Sequence, residues 1–308
     1  LSNFGIGAGD KVAILSENSP NWSAAFFAIT VYGRIAIPML PELSAGEVEN
    51  ILVHSEAKAI FVSKKQLPKL SEEAIGRLKL VIAIGDLSFI KAEGSSYTCD
   101  GKVSRPTALD TAAILYTSGT TGKAKGVMLC HRNFCTNVLT SWYSYKIGPR
   151  DVFLSILPMA HTYEMSIGML YPFAMGAKVE YLQKVPTPSI LIATLAKIRP
   201  TAMLSVPLII EKIYRSSIVP TISKSKFLSY LDKHAKGLLY TMVGMKLKKT
   251  FGGRIGFFGI GGAKLDPEVE VFLKKARFPY AIGYGLTETA PLICSAAPRH
   301  TWPGTTGR

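Results

Sequence analysis

Short apolar runs, each followed by a stretch with helical spacing, recur along this chain and restrict what it can fold into. Val12 to Leu15, Ile35 to Pro38, Ala59 to Val62 and Leu80 to Ile84 are too short for helices and too evenly apolar for strands with one wet face. Strands of that kind are buried on both sides, as in parallel sheets covered by helices. Helical stretches lie between them. One runs from about Asn21 to Tyr32 and is closed by Gly33; another is opened by Ser44 and Glu47 at capping-box spacing. The pattern returns as Asp151 to Leu157, a helix to about Ala174, Gly176, and a strand from Lys178 to Leu182. Further strands are expected at Ala202 to Ser205, Ile255 to Ile260 and Tyr280 to Gly283, with helices after Pro188, after Pro207 and from about Pro267. Alternation of this kind predicts an α/β fold of two doubly wound, mostly parallel sheets with flanking helices.

The expected organisation is one α/β subdomain over residues 1–145, a second over 146–297, and the start of a following region at 298–308. Leu1 is no initiator and Arg308 stands inside a Gly/Thr loop, so both ends read as cut and the chain as a fragment. The longest uncharged stretches, Asn18 to Gly33 and Met165 to Ala177, fall short of the roughly 18 apolar residues that a membrane span requires. Cys99, Cys130, Cys135 and Cys294 have no metal-ligand spacing and suit free thiols in a reducing, cytoplasmic setting. A net charge of +15 favours anionic partners. The lysines are spread along the chain without aromatic interleaving or a nucleic-acid motif, which argues against nucleic acid.

The stretch Tyr116 to Val127, YTSGTTGKAKGV, lies between two strand-like runs, Ala112 to Leu115 and Val127 to Leu129. It concentrates hydroxyls (Thr117, Ser118, Thr120, Thr121), glycines (Gly119, Gly122, Gly126) and lysines (Lys123, Lys125). Glycines let backbone amides converge on one point, hydroxyls add donors and lysines add charge, which together suit a polyphosphate. The P-loop pattern GxxxxGK[ST] fails, because Thr117 stands where its first glycine belongs and Ala124 follows Lys123. No hydroxyl is therefore available there for Mg²⁺. The blander reading is a polar hairpin loop.

Three other segments carry chemistry. Gly283 to Thr289, GYGLTET, exposes an aromatic ring, a hydroxyl and a carboxylate after a strand, where α/β folds bind ligands. A purine can stack on Tyr284, Thr287 can donate to a phosphate, and Glu288 is a hard oxygen ligand for Mg²⁺. The expectation is a strand ending before a Gly283-Tyr284-Gly285 turn. Gly259 to Lys264, GIGGAK, is not a dinucleotide fingerprint, since Lys264 occupies the third glycine position. Its Gly262, Ala263 and Lys264 suit a turn that a flat ring can approach. His161, in LPMAHTYE, is by itself better explained as a satisfied structural histidine.

TSGTTGKAKG closely resembles the phosphate-loop signature of the adenylate-forming superfamily, which includes acyl-CoA synthetases, luciferases and peptide-synthetase adenylation domains. The family usually has Pro at the position of Ala124. GYGLTET matches the family's adenine-and-magnesium motif and GIGGAK its Gly-Gly-Ala segment; His161 stands in the matching strand-end turn. The resemblance runs over nearly the whole chain. It implies ATP and CoA as co-substrates and Mg²⁺ as the metal. By it, Thr117, Lys125, His161, Thr287 and Glu288 act in catalysis, Glu288 as the metal ligand. Thr117 to Lys123, Lys125, Gly262 to Lys264, Gly283, Tyr284, Gly285 and Thr287 surround the nucleotide. The family's Thr-Gly-Asp ribose segment and small second domain with its lysine are not found here.

Amino-acid adenylation domains typically open the histidine turn with Asp, and Met159 and Ala160 offer no such charge. The implied substrate is thus a carboxylic acid without an α-amino group, with a medium- or long-chain fatty acid favoured by the style of LPMAHTYE. The fragment itself is expected to be inactive. Alternatives are another adenylate-forming ligase (aryl acid, or a carrier-protein acceptor), a non-catalytic nucleotide-binding module, or a membrane-associated one. The last rests on Ser223 to Lys249, read as a basic amphipathic helical stretch able to lie on the inner face of a membrane. The commoner fate of such a stripe is packing on the core.

Overall fold

The computed structural model describes residues 1–94, 105–118, 124–183 and 186–307. Cys99 and the stretch Gly119, Thr120, Thr121, Gly122 and Lys123 lie outside them. The chain resolves into two compact units, residues 1–136 with 158–165, and residues 137–157 with 166–308.

In the first unit the buried runs become strands β1 (Lys11–Leu15), β2 (Ile35–Met39), β3 (Ala59–Val62) and β4 (Leu80–Ala83). With β5 (Phe89–Ala92), β6 (Thr111–Ser118) and β7 (Ala124–Cys130) they form one sheet, ordered β5-β4-β3-β1-β2-β6-β7. Pairing is parallel from β4 to β6, and the two edge strands run antiparallel. Helix α1 (Pro20–Thr30) starts at Ser19, whose hydroxyl accepts from the Trp22 amide at 3.1 Å. Helix α2 (Ala45–Ser55) opens on the expected capping box: Ser44 Oγ accepts from the Glu47 amide, and the Glu47 carboxylate accepts from the Ser44 amide at 2.8 Å. Helix α3 (Glu72–Arg77) precedes β4. Helix α4 (His131–Ser144) then carries the chain out of this unit.

The second unit holds β8 (Val152–Ser155), β9 (Lys178–Tyr181), β10 (Ala202–Ser205), β11 (Phe257–Ile260), β12 (Tyr280–Gly285) and β13 (Leu292–Ser295), ordered β13-β12-β11-β10-β8-β9. All neighbours are parallel except the edge pair β12 and β13. The run β11-β10-β8-β9 repeats the order β4-β3-β1-β2 of the first sheet, so the two α/β halves share a strand order as well as a rhythm. The helices are α5 (Tyr171–Ala174), α6 (Pro188–Ile198), α7 (Pro207–Ile213), α8 (Val219–Lys224), α9 (Lys226–His234), α10 (Lys236–Thr250) and α11 (Pro267–Lys275). Phe251, Phe258 and Phe278 meet edge-on in the core, with ring centroids 5.2 to 5.4 Å apart.

The structure departs from the sequence expectation in several places. Strands β5 and β13 were not anticipated. Gly283, Tyr284 and Gly285 belong to β12 instead of forming a turn beyond it. The Ser223 to Lys249 stretch is three helices, broken at Ser225 and Ala235. The segment Glu164–Leu170, expected as ordinary helix, is π-helical. Among the described residues no helix is long and apolar enough to cross a membrane.

Two glycines of α10 separate helix propensity from packing. A Cβ on Gly244 would sit 2.0 Å from the Ala276 carbonyl oxygen, whereas one on Gly237 meets nothing within 4 Å. Gly to Ala in a helix normally gains up to about 1 kcal/mol. Gly237→Ala should raise the thermal midpoint slightly and Gly244→Ala should lower it, a reversal of sign that calorimetry reads directly.

Candidate functional site

The sequence-predicted site residues divide between the units. Thr117, Ser118, Lys125 and His161 belong to the first, and Gly262, Ala263, Lys264, Gly283, Tyr284, Gly285, Thr287 and Glu288 to the second.

In the first unit the phosphate-loop flanks are the facing ends of the β6–β7 hairpin. Thr117 pairs with Lys125 and the Ser118 backbone with Ala124, so Thr117 and Lys125, expected in a loop, stand on paired strands. A Cβ on Gly126 would come within 2.8 Å of Ile114 Cγ2 and 3.5 Å of the Tyr116 ring, so only glycine leaves room for that cross-strand packing. The Tyr116 hydroxyl lies 2.8 Å from His54 Nδ1, and desolvation raises its pKa. His161 follows β8 in the segment 158–165, which is tied to this unit where the Met159 amide donates to Asn18 Oδ1 at 3.0 Å. His161 is exposed as a residue, yet desolvation by the surrounding protein lowers its imidazole pKa below 6.5. That direction favours the neutral ring, whose Nδ1 accepts from the Tyr163 amide at 3.3 Å, leaving Nε2 as the donor. Its solvent access limits the size of the shift.

In the second unit GIGGAK and GYGLTET are brought together. They follow neighbouring parallel strands, with Gly259 opposite Ala281 and Ile260 opposite Ile282. The Gly261 amide donates to the Ser205 carbonyl at 3.2 Å, and Gly262 takes φ +85°, a conformation that disfavours a side chain. Gly262, Ala263 and Lys264 are all exposed beyond it. Tyr284 leaves 52% of its surface open at the end of β12. Gly285 has no alternative, since a Cβ there would overlap the Pro291 carbonyl oxygen at 1.7 Å. Thr287 and Glu288 then lie in a short 3-10 turn, Thr287–Thr289.

Glu288 is exposed and makes no hydrogen bond or ion pair with a described residue. Among the described residues no three His, Cys, Asp or Glu gather into a metal site. A single free carboxylate fits Mg²⁺, which takes one or two carboxylates and fills its sphere with water and substrate phosphates.

The turn is held by residues that sequence reasoning missed. Asn137 on α4, 6% exposed, donates from Nδ2 to the Thr289 carbonyl at 2.9 Å, and its Oδ1 accepts from the Leu292 amide at 2.8 Å. Ser166, fully buried in the π-helical segment, donates to the Ala290 carbonyl at 2.8 Å. The Leu286 amide donates to Thr289 Oγ1 at 3.0 Å, closing the turn on itself.

A separate apolar cavity of about 650 Å³ lies in the second unit between α6, α7 and the helices α8 to α10. Leu191, Leu195, Ile213, Met242 and Leu247 are among its lining, and none of the described motif residues is.

If Asn137 fixes the 289–292 backbone, Asn137→Ala should leave a part-buried carbonyl and amide without their side-chain partner, at a cost of about 1 kcal/mol. The Leu292 amide should then exchange with deuterium markedly faster than in the parent chain, while amides of β1 to β4 keep their protection. Unchanged exchange at Leu292 would remove Asn137 from this role.

Comparison with known proteins bears on these motifs as a set. The family profile described as AMP-binding enzyme matches residues 1–308. Long chain acyl-CoA synthetase 6, peroxisomal, from Arabidopsis thaliana is 32% identical over 327 residues, covering 95% of this chain and 46% of its own. Fatty acyl-CoA synthetase A from Dictyostelium discoideum is 26% identical, covering 94% and 48%. The chain thus spans about half the length of the curated relatives it matches. Among solved structures, the inhibitor-bound N-terminal domain of FACL13 from Mycobacterium tuberculosis aligns with TM-score 0.74 at 21% identity, covering all of this chain and 71% of that one. The anthranilate CoA ligase AuaEII with anthranoyl-AMP aligns with TM-score 0.76 at 20% identity, covering 100% and 55%. The match over the full 308 residues settles the family: the chain belongs to the AMP-binding enzymes, with the fold of the N-terminal domain of adenylate-forming enzymes.

Proposed function

We propose that this chain supplies the nucleotide- and acid-activating part of an acid–CoA ligase that acts on a medium- or long-chain fatty acid. The observation that carries the reading is the second unit's paired turns, in which an open Tyr284 ring, the Thr287 hydroxyl and an exposed Glu288 carboxylate with no partner among the described residues follow the same sheet edge as Gly262 and Ala263.

In the reaction a carboxylate oxygen attacks the α-phosphorus of ATP. The acyl–phosphate bond forms, the bond to the bridging oxygen breaks, and pyrophosphate leaves. Charge builds on the non-bridging oxygens and on the leaving group, and fixed donors that meet it there lower the barrier. Lys125 and the Thr117 and Ser118 hydroxyls are such donors, as are Gly119 to Lys123 by the family resemblance. Thr287 donates to the α-phosphate, Tyr284 stacks on adenine, and the main chain at Gly262 and Ala263, followed by Lys264, lines the ring's other side. Glu288 would hold Mg²⁺, which when bound neutralises phosphate charge. Neutral His161 can donate a hydrogen bond to the substrate carboxylate or α-phosphate without presenting a full charge. In the second step the CoA thiolate attacks the acyl carbon and AMP departs.

The preference for an acid without an amine rests on Met159 and Ala160, which provide no carboxylate for an ammonium group. Cys130, Cys135 and Cys294 stand as free thiols, which supports work in a reducing compartment such as the cytoplasm.

Pyrophosphate exchange on the longer parent protein tests the assignment. Fatty acids should drive exchange and amino acids should not. Glu288→Gln should lower exchange on the order of 100-fold with the fold intact. Near-normal exchange in that variant, or a clear preference for any amino acid, would overturn the reading.

The chain spans about half the length of the relatives it matches, and by the family resemblance the ribose carboxylate and the second-domain lysine belong to segments these 308 residues do not match. A lysine that meets the α-phosphate acts mainly in the transition state, so its loss reduces rate more than binding. Assayed beside the parent, the chain should bind ATP weakly and form no acyl-CoA. A comparable thioester rate would contradict that.

A further inference from the structure

The first sheet has a switch point of its own. Strand β2 pairs on one side of β1 and β3 on the other, so the connections that follow β1 and β2 run in opposite directions across the sheet. Beyond the carboxyl ends of such strands α/β folds bind ligands. Here the polar side chains at that edge are already engaged with one another. Gln66, 3% exposed and just past β3, donates from Nε2 to Glu17 Oε1 at 2.6 Å, and Lys65 Nζ lies 3.7 Å from the same oxygen. The Ser16 hydroxyl donates to the Glu17 carbonyl at 3.0 Å. Asn21 donates from Nδ2 to the Ile84 and Gly85 carbonyls beyond β4, at 2.7 and 2.9 Å. Asn18, 7% exposed and in the same loop after β1, has a partner far off in sequence: its Oδ1 accepts from the Met159 amide at 3.0 Å.

The segment that contains Met159 takes the place of a ligand there. It follows β8, a strand of the other sheet, yet residues 158–165 belong to the first unit. Met159, Ala160, Thr162, Glu164 and Met165 are buried, each 5% exposed or less, whereas His161 among them is exposed. The turn is thus anchored by the side chains on both sides of one outward ring. Its internal bonds give it a fixed shape. The His161 amide donates to the Pro158 carbonyl and the Met165 amide to the His161 carbonyl, both at 2.9 Å, and the Tyr163 amide donates to His161 Nδ1 at 3.3 Å. Bonds inside a turn do not say where the turn sits. The Asn18 bond does, because it joins the turn's backbone to the end of β1. Without that acceptor a buried amide loses its partner, and the turn must move to find another.

We propose that Asn18 is a positioning residue for His161. It holds the turn in the first sheet's own ligand crevice, so that the ring presents Nε2–H outward in one place and one tautomer. What the ring does in the reaction rests on the ligase reading above; that Asn18 holds it does not.

Two measurements on the longer parent protein test this. Diethyl pyrocarbonate acylates the unprotonated nitrogen of a neutral imidazole, and in the held turn that nitrogen is Nδ1, engaged by the Tyr163 amide. Asn18→Ala should speed labelling of His161 severalfold while the exposed His300 keeps its rate. Asn18→Asp retains an acceptor oxygen for the Met159 amide and should label as the parent does. In pyrophosphate exchange with a fatty acid, Asn18→Ala should lower kcat on the order of tenfold to 100-fold and change the KM for ATP less than about twofold, because a misplaced group costs rate more than nucleotide binding. Asn18→Asp should recover most of that loss. In a His161→Ala background Asn18→Ala should add little, since the group it acts through is gone. Unchanged labelling of His161, an equal loss in Asn18→Asp, or a full further loss in the His161→Ala background would each overturn the proposal. If no fatty acid drives exchange in the unaltered parent, the ligase reading fails and the labelling alone decides. Asn18→Leu, closer to asparagine in volume, replaces Asn18→Ala should the smaller side chain cost the fold.

Discussion

Parallel pairing forces successive strands to finish on the same edge of a sheet, and each segment with candidate chemistry in this chain follows such a finish. Ser118 ends β6, which runs parallel to β2, and the phosphate loop begins there. Ile260 ends β11 and leads into GIGGAK, and β12 ends in GYGLTET beside it. His161 follows β8, which runs parallel to β10. Backbone amides beyond the last ladder bond are unpaired and point outward, so such edges offer donors before any side chain is added. Cross-strand glycines then decide how closely the edges pack: Gly126 makes room for Ile114 and Gly285 for the Pro291 carbonyl.

The inner strands were legible in the sequence because a strand buried on both faces must be apolar without interruption. The runs starting at Val12, Ala59, Leu80 and Ala202 became β1, β3, β4 and β10 with boundaries shifted by a residue or less. Edge strands carry no such mark. Phe89 to Ala92 and Leu292 to Ser295 are four residues each and contain no fully buried position, so they lack the long apolar run that marks an inner strand. The same reason hid the true length of β6 and β7. Thr117, Ser118 and Lys125 are polar and read as loop, yet the ladder extends through them.

The candidate site's reactive groups stand out in the sequence, and its supports do not. Tyr284, Thr287 and Glu288 announce themselves by residue type within seven positions. Asn137 acts on carbonyl and amide groups 152 and 155 residues away, and Ser166 on one 124 away. No local pattern connects such pairs, because only the tertiary fold brings them into register. The breaks at Ser225 and Ala235 were hidden for another reason: an amphipathic period continues across them, and period alone does not register where backbone bonding stops.

The course of the chain between the units bears on how the protein comes to be made. Residues 1–136 contain all seven strands of the first sheet, but residues 158–165 of the same unit follow a further strand that belongs to the second. During synthesis from the amino end, the first sheet can assemble while the segment bearing His161 is still inside the ribosome. Asn18 must then wait for Met159 to emerge before it receives its 3.0 Å hydrogen bond. No single cut in the chain separates the two units, so neither can be expressed whole as one uninterrupted length of polypeptide. A gene duplicated, shuffled or truncated at residue 136 would encode the first sheet without the histidine turn that completes it.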